Sequence, residues 1–253
     1  MISGRTSVVV LAWLAWVGVL GAAEPAVLPP DADTTAPEPK PIEHVVRDVE
    51  GWQIHIDRKL TEGAGCGQGD LALKILAAKL HEISLVVPAD KLEALRRVPI
   101  WIDLDHPLTS LQYHPNVHWL TEHGYDAQMA KVVHVPKAER LIMHSRRNDQ
   151  PWAMLHELAH AYHDRELGFD YEPIRKGYER VSGEGLYESV LHVDGRRKRH
   201  YALSDHKEYF AEMSEAYFGT NDFYPFVRAE LEEADPETFA LLREIWGPAP
   251  GRQ

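Results

Sequence analysis

Cysteine occurs once in this 253-residue chain, at Cys66. A single thiol closes no internal disulfide, so a fold exported to an oxidising compartment must rest on its core and on any metal it holds. Cys66 stands in Gly63-Ala-Gly-Cys-Gly-Gln-Gly69, which reads as a turn; a nucleophilic thiol would need a partner histidine. Basic residues are scarce too, 27 Lys and Arg against 39 Asp and Glu, for a net charge of −12. An acidic chain repels phosphate backbones, which argues against a nucleic-acid partner. The basic run Arg196-Arg-Lys-Arg199 directly follows Asp194-Gly195, a dipeptide that marks a hairpin turn between two short apolar runs, so its charges are expected to be solvated at the tip. Beyond the N-terminus no apolar run is long enough to cross a bilayer, and no internal repeat is visible.

What is present begins with an export pattern. Residues 1–23 carry Arg5, an apolar run from Val8 to Leu20 and the small residues Gly21, Ala22 and Ala23, the layout of a cleavable signal peptide. Residues 24–41 hold Pro25, Pro29, Pro30, Pro37, Pro39 and Pro41, too closely spaced for a helix or a central strand, and read as an extended linker. Residues 42–253 are long enough to bury one core. The mature chain is therefore expected to be soluble and secreted or otherwise extracytoplasmic, with no stable membrane span.

Within that domain the most informative string is Ala153-Met-Leu-His-Glu-Leu-Ala-His160. Two imidazoles four residues apart, His156 and His160, lie about 40° apart around a helix and about one turn apart in height, so both can face one zinc ion. Glu157 falls on the neighbouring stripe, from which it reaches a water at the metal and takes its proton. Asn148 or Asp149 offers a cap, Pro151 suits a first turn, and Trp152, Leu155, Ala159 and Tyr162 repeat at helical spacing. The chain has 15 histidines, so the string gains its weight from this setting.

Elsewhere the pattern is mixed α and β. Trp52, Ile54 and Ile56 alternate with polar residues as a half-buried strand. Leu71 to Leu80 reads as a helix, Ile83 to Val87 as a strand, Ala89 to Arg97 as a helix and Ile100 to Leu104 as a strand. His106 to Gly124 shows no period and reads as a surface loop whose histidines are solvated. Lys131 to Val135, ended by Pro136, reads as an edge strand to which an extended peptide could add. Glu172 to Val181 is predicted helical, then a hairpin around Asp194-Gly195, a helix from about Asp205 to Phe218, and two helices split by Pro236.

A hydrolytic zinc needs three protein ligands and one open position. A histidine six residues beyond the pair is missing, because Glu166 stands there. Glu179 lies 19 residues past His160, a spacing that zinc peptidases use. Glu208, in Asp205-His-Lys-Glu-Tyr-Phe-Ala-Glu212, competes with it, and Glu212, one turn further along the same face, is a third candidate. If Glu208 is a ligand, Glu212 can accept a hydrogen bond from the other ring nitrogen of a zinc-bound histidine. Alternatively Asp205 and Glu208 form a capping box, with Glu212 and Glu215 on a wet face.

His156-Glu-Leu-Ala-His160 followed by Glu208-Tyr-Phe-Ala-Glu212 resembles the zinc peptidases of the anthrax lethal factor catalytic domain type, a branch of the gluzincins, over about residues 130 to 220. The resemblance implies an α+β zincin-like domain with the active-site helix under a small mixed sheet that has an edge strand. It implies Glu208 as the third zinc ligand and Tyr201, seven residues earlier, as the group that steadies the oxyanion. The segment from Glu172 to His200 departs from that pattern. Chemistry supports Tyr201 separately, since a phenol beside the metal can donate to a tetrahedral oxyanion; the alternative is a tyrosine packed in the core. The expectation is a secreted zinc metallopeptidase, an endopeptidase by preference, acting on a peptide or protein. Its rivals are a non-catalytic zincin-like binding or surface protein and a zinc hydrolase of a non-peptide amide or ester. Tyr217, Phe218, Phe223, Tyr224 and Phe226 either line a hydrophobic substrate pocket or belong to the core.

Overall fold

The computed structural model describes residues 42–248. The expected signal (1–23) and linker (24–41) lie outside the described residues. Strands β1 (His44–Val49) and β2 (Trp52–Asp57) pair antiparallel across Glu50 and Gly51, with φ of 54° and 87°. Two successive positive φ angles form the tight turn whose twist matches that of its strands. In chain order there follow α1 (Cys66–Val86), α2 (Ala89–Arg96), β3 (Ile100–Ile102), β4 (Gln112–Tyr113), α3 (Val117–Glu122), β5 (Val133–Val135), α4 (Ala138–Arg147) and α5 (Ala153–Tyr162). Next come α6 (Glu172–Glu184), β6 (Val190–Leu191), β7 (Arg197–Lys198), α7 (His206–Phe218), α8 (Arg228–Ala234) and α9 (Pro236–Trp246). The architecture is α+β.

The main sheet has the order β1-β2-β3-β5-β4, with β2, β3 and β5 parallel and the outer strands antiparallel. Side chains alternate across it. Ile54, Ile56, Ile100, Ile102, Val133 and Val135 enter the main core, whereas Trp101 joins a smaller cluster with Leu120, Met129 and Val132 on the other face. Helices α5 and α7 pack together, and both are buried over nearly their whole length. No helix among the described residues is long and apolar enough to cross a membrane.

Four local expectations are corrected. Ile83 to Val87 is not a strand: α1 continues to Val86, because Ala72, Leu76, Leu80 and Ile83 form one buried stripe at helical spacing, and Pro88 follows its end. Lys131 to Val135 does not lie at the edge. β5 sits between β3 and β4, and the edge is β4, a two-residue strand with no sequence period of its own. Pro136 lies one residue past the last paired position and removes no ladder bond. Asn148 does not start α5 but closes α4 in the left-handed conformation, φ 52°, its N–H donating to the His144 carbonyl at 2.8 Å; α5 begins after Trp152.

The stretch from His106 to Gly124 is also no solvated loop. It holds β4 and α3, and His106 and His114 are buried. Asp103 accepts from His44 Nε2 at 2.7 Å and from His134 Nε2 at 2.8 Å, and His134 Nδ1 lies 3.3 Å from His114 Nε2. With Asp103 ionised, neutral rings satisfy this chain: His114 donates to His134, and His134 to Asp103.

Candidate metal centre

Helix α5 supplies His156 and His160 from one face, and α7 supplies Glu208 from its first turn. Asp205 caps α7, accepting from the N–H groups of Lys207 and Glu208 at 2.7 and 3.0 Å. The Glu208 side chain is thereby free to turn toward α5. Its Oε2 lies 3.0 Å from His156 Nε2 and 3.3 Å from His160 Nε2, and the two Nε2 atoms are 3.1 Å apart.

That triangle is the test of fit for zinc. Nitrogen and oxygen ligands at about 2.0–2.1 Å from a tetrahedral zinc stand about 3.3–3.4 Å from one another. His156 Nδ1 donates to Glu215 Oε1 at 2.8 Å, which leaves the lone pair of the neutral ring on Nε2. A ring lone pair, a second ring nitrogen and a carboxylate oxygen packed this closely need a cation or extra protons between them. The donor set, two imidazoles and one carboxylate, is one that catalytic zinc accepts.

The electrostatics describe the same demand for positive charge. Burial opposes the ionisation of Glu208, but hydrogen bonds from His156 and His160 outweigh it and hold the carboxyl well below the usual range. Burial alone would depress His156; the carboxylates of Glu208, Glu215 and Glu212 reverse that and raise it well above its ordinary value. Glu212 and Glu215 are themselves raised, by burial first and then by neighbouring acidic groups.

Glu157 borders the cavity beside the triangle, and its Oε2 accepts the Tyr113 N–H of β4 at 2.7 Å. Burial raises its pKa, against the pull of His156, His160 and that N–H. The Tyr113 hydroxyl donates to Asp164 at 2.7 Å, so the edge strand is tied to the π-helical turn (His163–Leu167) that continues α5.

Tyr201 is not on the second hairpin strand, which ends at Lys198, but in a short 3-10 turn (Tyr201–Leu203) immediately before α7. It is 49% exposed, which excludes the packed-core alternative, and it lines the cavity with the triangle and Glu157. Burial and the Glu208 charge raise its phenol.

Glu179 is remote from this group. It points to solvent on α6 with Arg175 at 3.6 Å, so its spacing from His160 has no structural counterpart. Glu212 Oε1 stands 3.4 Å from His156 Nδ1, further than Glu215 at 2.8 Å, so the position nearest the ring nitrogen passes from Glu212 to Glu215. A signal for Glu215 exists in the sequence: Glu208, Glu212 and Glu215 fall on one stripe of a helix whose other residues are mostly apolar, and a helix apolar all round is a buried one. None of Tyr217, Phe218, Phe223, Tyr224 and Phe226 lines the cavity, and Tyr217 and Phe218 are core.

Asp103, His106 and His134 also converge closely enough to hold a metal. Both Asp103 oxygens already accept hydrogen bonds, however, and the Leu108 N–H donates to His106 Nδ1 at 3.1 Å, placing that ring's proton on Nε2. The arrangement is a satisfied hydrogen-bond network.

The triangle opens on a cavity of about 590 Å³ between α5 and α7 on one side and α1, α4 and β4 on the other. No known family model matches the chain, and no curated protein or solved structure matches it significantly.

Proposed function

We propose that this chain is an exported zinc metallopeptidase that hydrolyses peptide bonds, an endopeptidase of zincin type. The observation that carries the reading is the triangle of His156, His160 and Glu208, 3.0 to 3.3 Å on a side, at the wall of an open cavity and with Glu157 next to it. His156, His160 and Glu208 would hold the zinc, which when bound acidifies a water and polarises a carbonyl. Glu157 removes a proton from the attacking water and returns it to the leaving amine, a task helped by a carboxyl whose proton affinity burial raises. Tyr201 donates its hydroxyl to the carbonyl oxygen as negative charge gathers there. Gln112 and Tyr113 of the edge strand β4 line the cavity, and an edge strand is where an extended peptide can pair, which favours a peptide over a small amide or ester. A purely structural metal would have no use for a base beside the ligands or for an open face.

Zinc content measured on the purified exported protein, together with mass-spectrometric reading of a digested peptide library, tests the proposal. The expected result is about one zinc per chain and cleavage that Glu157→Gln abolishes with zinc retained. Absence of zinc after growth in zinc-replete medium overturns it.

A further inference from the structure

The cavity is electrically two-sided. Every acidic residue that lines it, Glu157, Glu208, Glu212 and Glu215, comes from α5 or α7. The facing wall, built by α1, α4 and the residue that precedes α4, contributes Lys79, Arg140 and Lys137 and no carboxylate. In a chain of net charge −12, three cations on one wall of the main cleft call for a counter-charge.

Their existing partners do not supply it within the cleft. Lys79 reaches Glu82 at 3.1 Å and Lys137 reaches Asp105 at 2.5 Å, but neither acid lines the cavity, and the Asp105 side chain is 76% exposed. Both acids are themselves solvent-exposed, so these pairs are screened by water and hold the lysines only weakly. Arg140 forms no ion pair among the described residues; it donates one Nη1 bond to the Thr109 carbonyl at 2.8 Å. That bond anchors one side of a planar fork and leaves further N–H donors, and the fork is shaped for a carboxylate. Ile75 and Leu141 line the same cavity, apolar surface available to the methylenes of an acidic side chain.

We infer that Arg140, supported by Lys79, forms a subsite for an aspartate or glutamate side chain of the bound peptide, on the basic wall of the cavity that the metal ligands share. This inference rests on the peptidase reading, whose substrate class it names. A carboxylate gripped there by the Arg140 fork sets the register of the chain along β4, so an acidic residue at one fixed position from the scissile bond marks the substrate.

The test uses zinc-loaded protein carrying Glu157→Gln, which prevents turnover, and fluorescein-labelled hexapeptides with Glu or Gln at each position in turn, read by anisotropy. At one position Glu should bind at least about 10-fold tighter than Gln, as a charge-assisted bond in a half-buried cleft provides. The preference should weaken with salt. Adding Arg140→Gln should reduce it to about 2-fold with zinc content unchanged, and Arg140→Lys should restore part of it. Equal binding of Glu and Gln peptides at every position, or no binding at all, overturns the inference. So does a Glu preference that survives Arg140→Gln, which would mean that the carboxylate meets the zinc. Digestion of the same peptides by the unsubstituted protein separates the two claims. An Arg140-dependent preference without cleavage sinks the peptidase and keeps the subsite, and cleavage without that preference does the reverse.

Discussion

His156 Nδ1 and Glu215 Oε1 are 2.8 Å apart, joining α5 to the last turn of α7. The contact fixes the ring's tautomer and makes its Nε2 a better donor to a metal. Glu212, at 3.4 Å, contributes less, and its Oε2 is shared with the Asn221 amide at 3.1 Å.

Zinc affinity should therefore fall in a defined order. Glu208→Gln removes a ligand and should lose the metal. Glu215→Gln should weaken binding by about 10 to 100-fold, Glu212→Gln by less, and Glu179→Gln not at all. Competition titration with a chelator ranks the four. A larger loss in Glu179→Gln than in Glu208→Gln would dissolve the site as assigned.

Tyr201→Phe should leave the fold and the zinc intact, because the half-exposed ring makes no hydrogen bond that holds the core. If its hydroxyl donates to the oxyanion, the catalytic constant should fall by about 10²-fold or more with little change in KM. A fall in stability without a separate kinetic effect would assign the ring to packing.

The helices that carry the candidate site are legible in the sequence, since Asp205 announces α7 and the apolar stripe announces α5. The approach of Glu208 to the histidine pair is legible as well, once a third metal-binding group is sought. What escapes is set by tertiary contacts. β4 has two residues and exists because Gln112 and Tyr113 pair with His134 and Val133, so no local period marks it. Ile83 to Val87 carries the branched residues of a strand, yet the stripe from Ala72 to Ile83 keeps it helical. His106 and His114 look solvated until Asp103 and His134 arrive from other strands to bury them.

That buried histidine network gives the domain an acid sensitivity. Burial, with a further push from His134, takes His114 down to about 3, and burial takes His106 down to about 4. Both folded values lie below the unfolded value near 6.5, so the unfolded chain takes up protons first, and stability is full above that pH and falls as pH drops toward 4. Asp103 acts in a lower window. Burial opposes its ionisation, but hydrogen bonds from His134 and His44 hold it at about 2, so its contribution is present above about 4 and is lost as pH falls through 2. From pH 7.5 to 5, His114 alone should cost about 2 kcal/mol. Urea unfolding at the two pH values checks this. His114→Gln, which keeps an N–H for His134 but does not titrate, should show a smaller loss than the parent; an equal loss would place the sensitivity elsewhere.

Two glycines should respond in opposite directions to alanine. Gly219 follows α7, and a Cβ there would fall inside the indole of Trp152. Trp152 packs against the main core, which limits where its ring can go, and its carbonyl accepts the His156 N–H at 3.1 Å at the start of α5. Gly219→Ala should cost about 1–3 kcal/mol as overpacking, and by displacing Trp152 it should also weaken zinc binding. Gly183, exposed near the end of α6, has open space for 4 Å around the position an alanine Cβ would take. Gly183→Ala should gain about 0.5–1 kcal/mol by removing backbone freedom from the unfolded chain, with zinc affinity unchanged. Thermal unfolding and chelator competition on both variants decide the matter. If Gly219→Ala is as stable as the parent, Trp152 yields without cost, and the packing between the end of α7 and the start of α5 does not hold His156 in place.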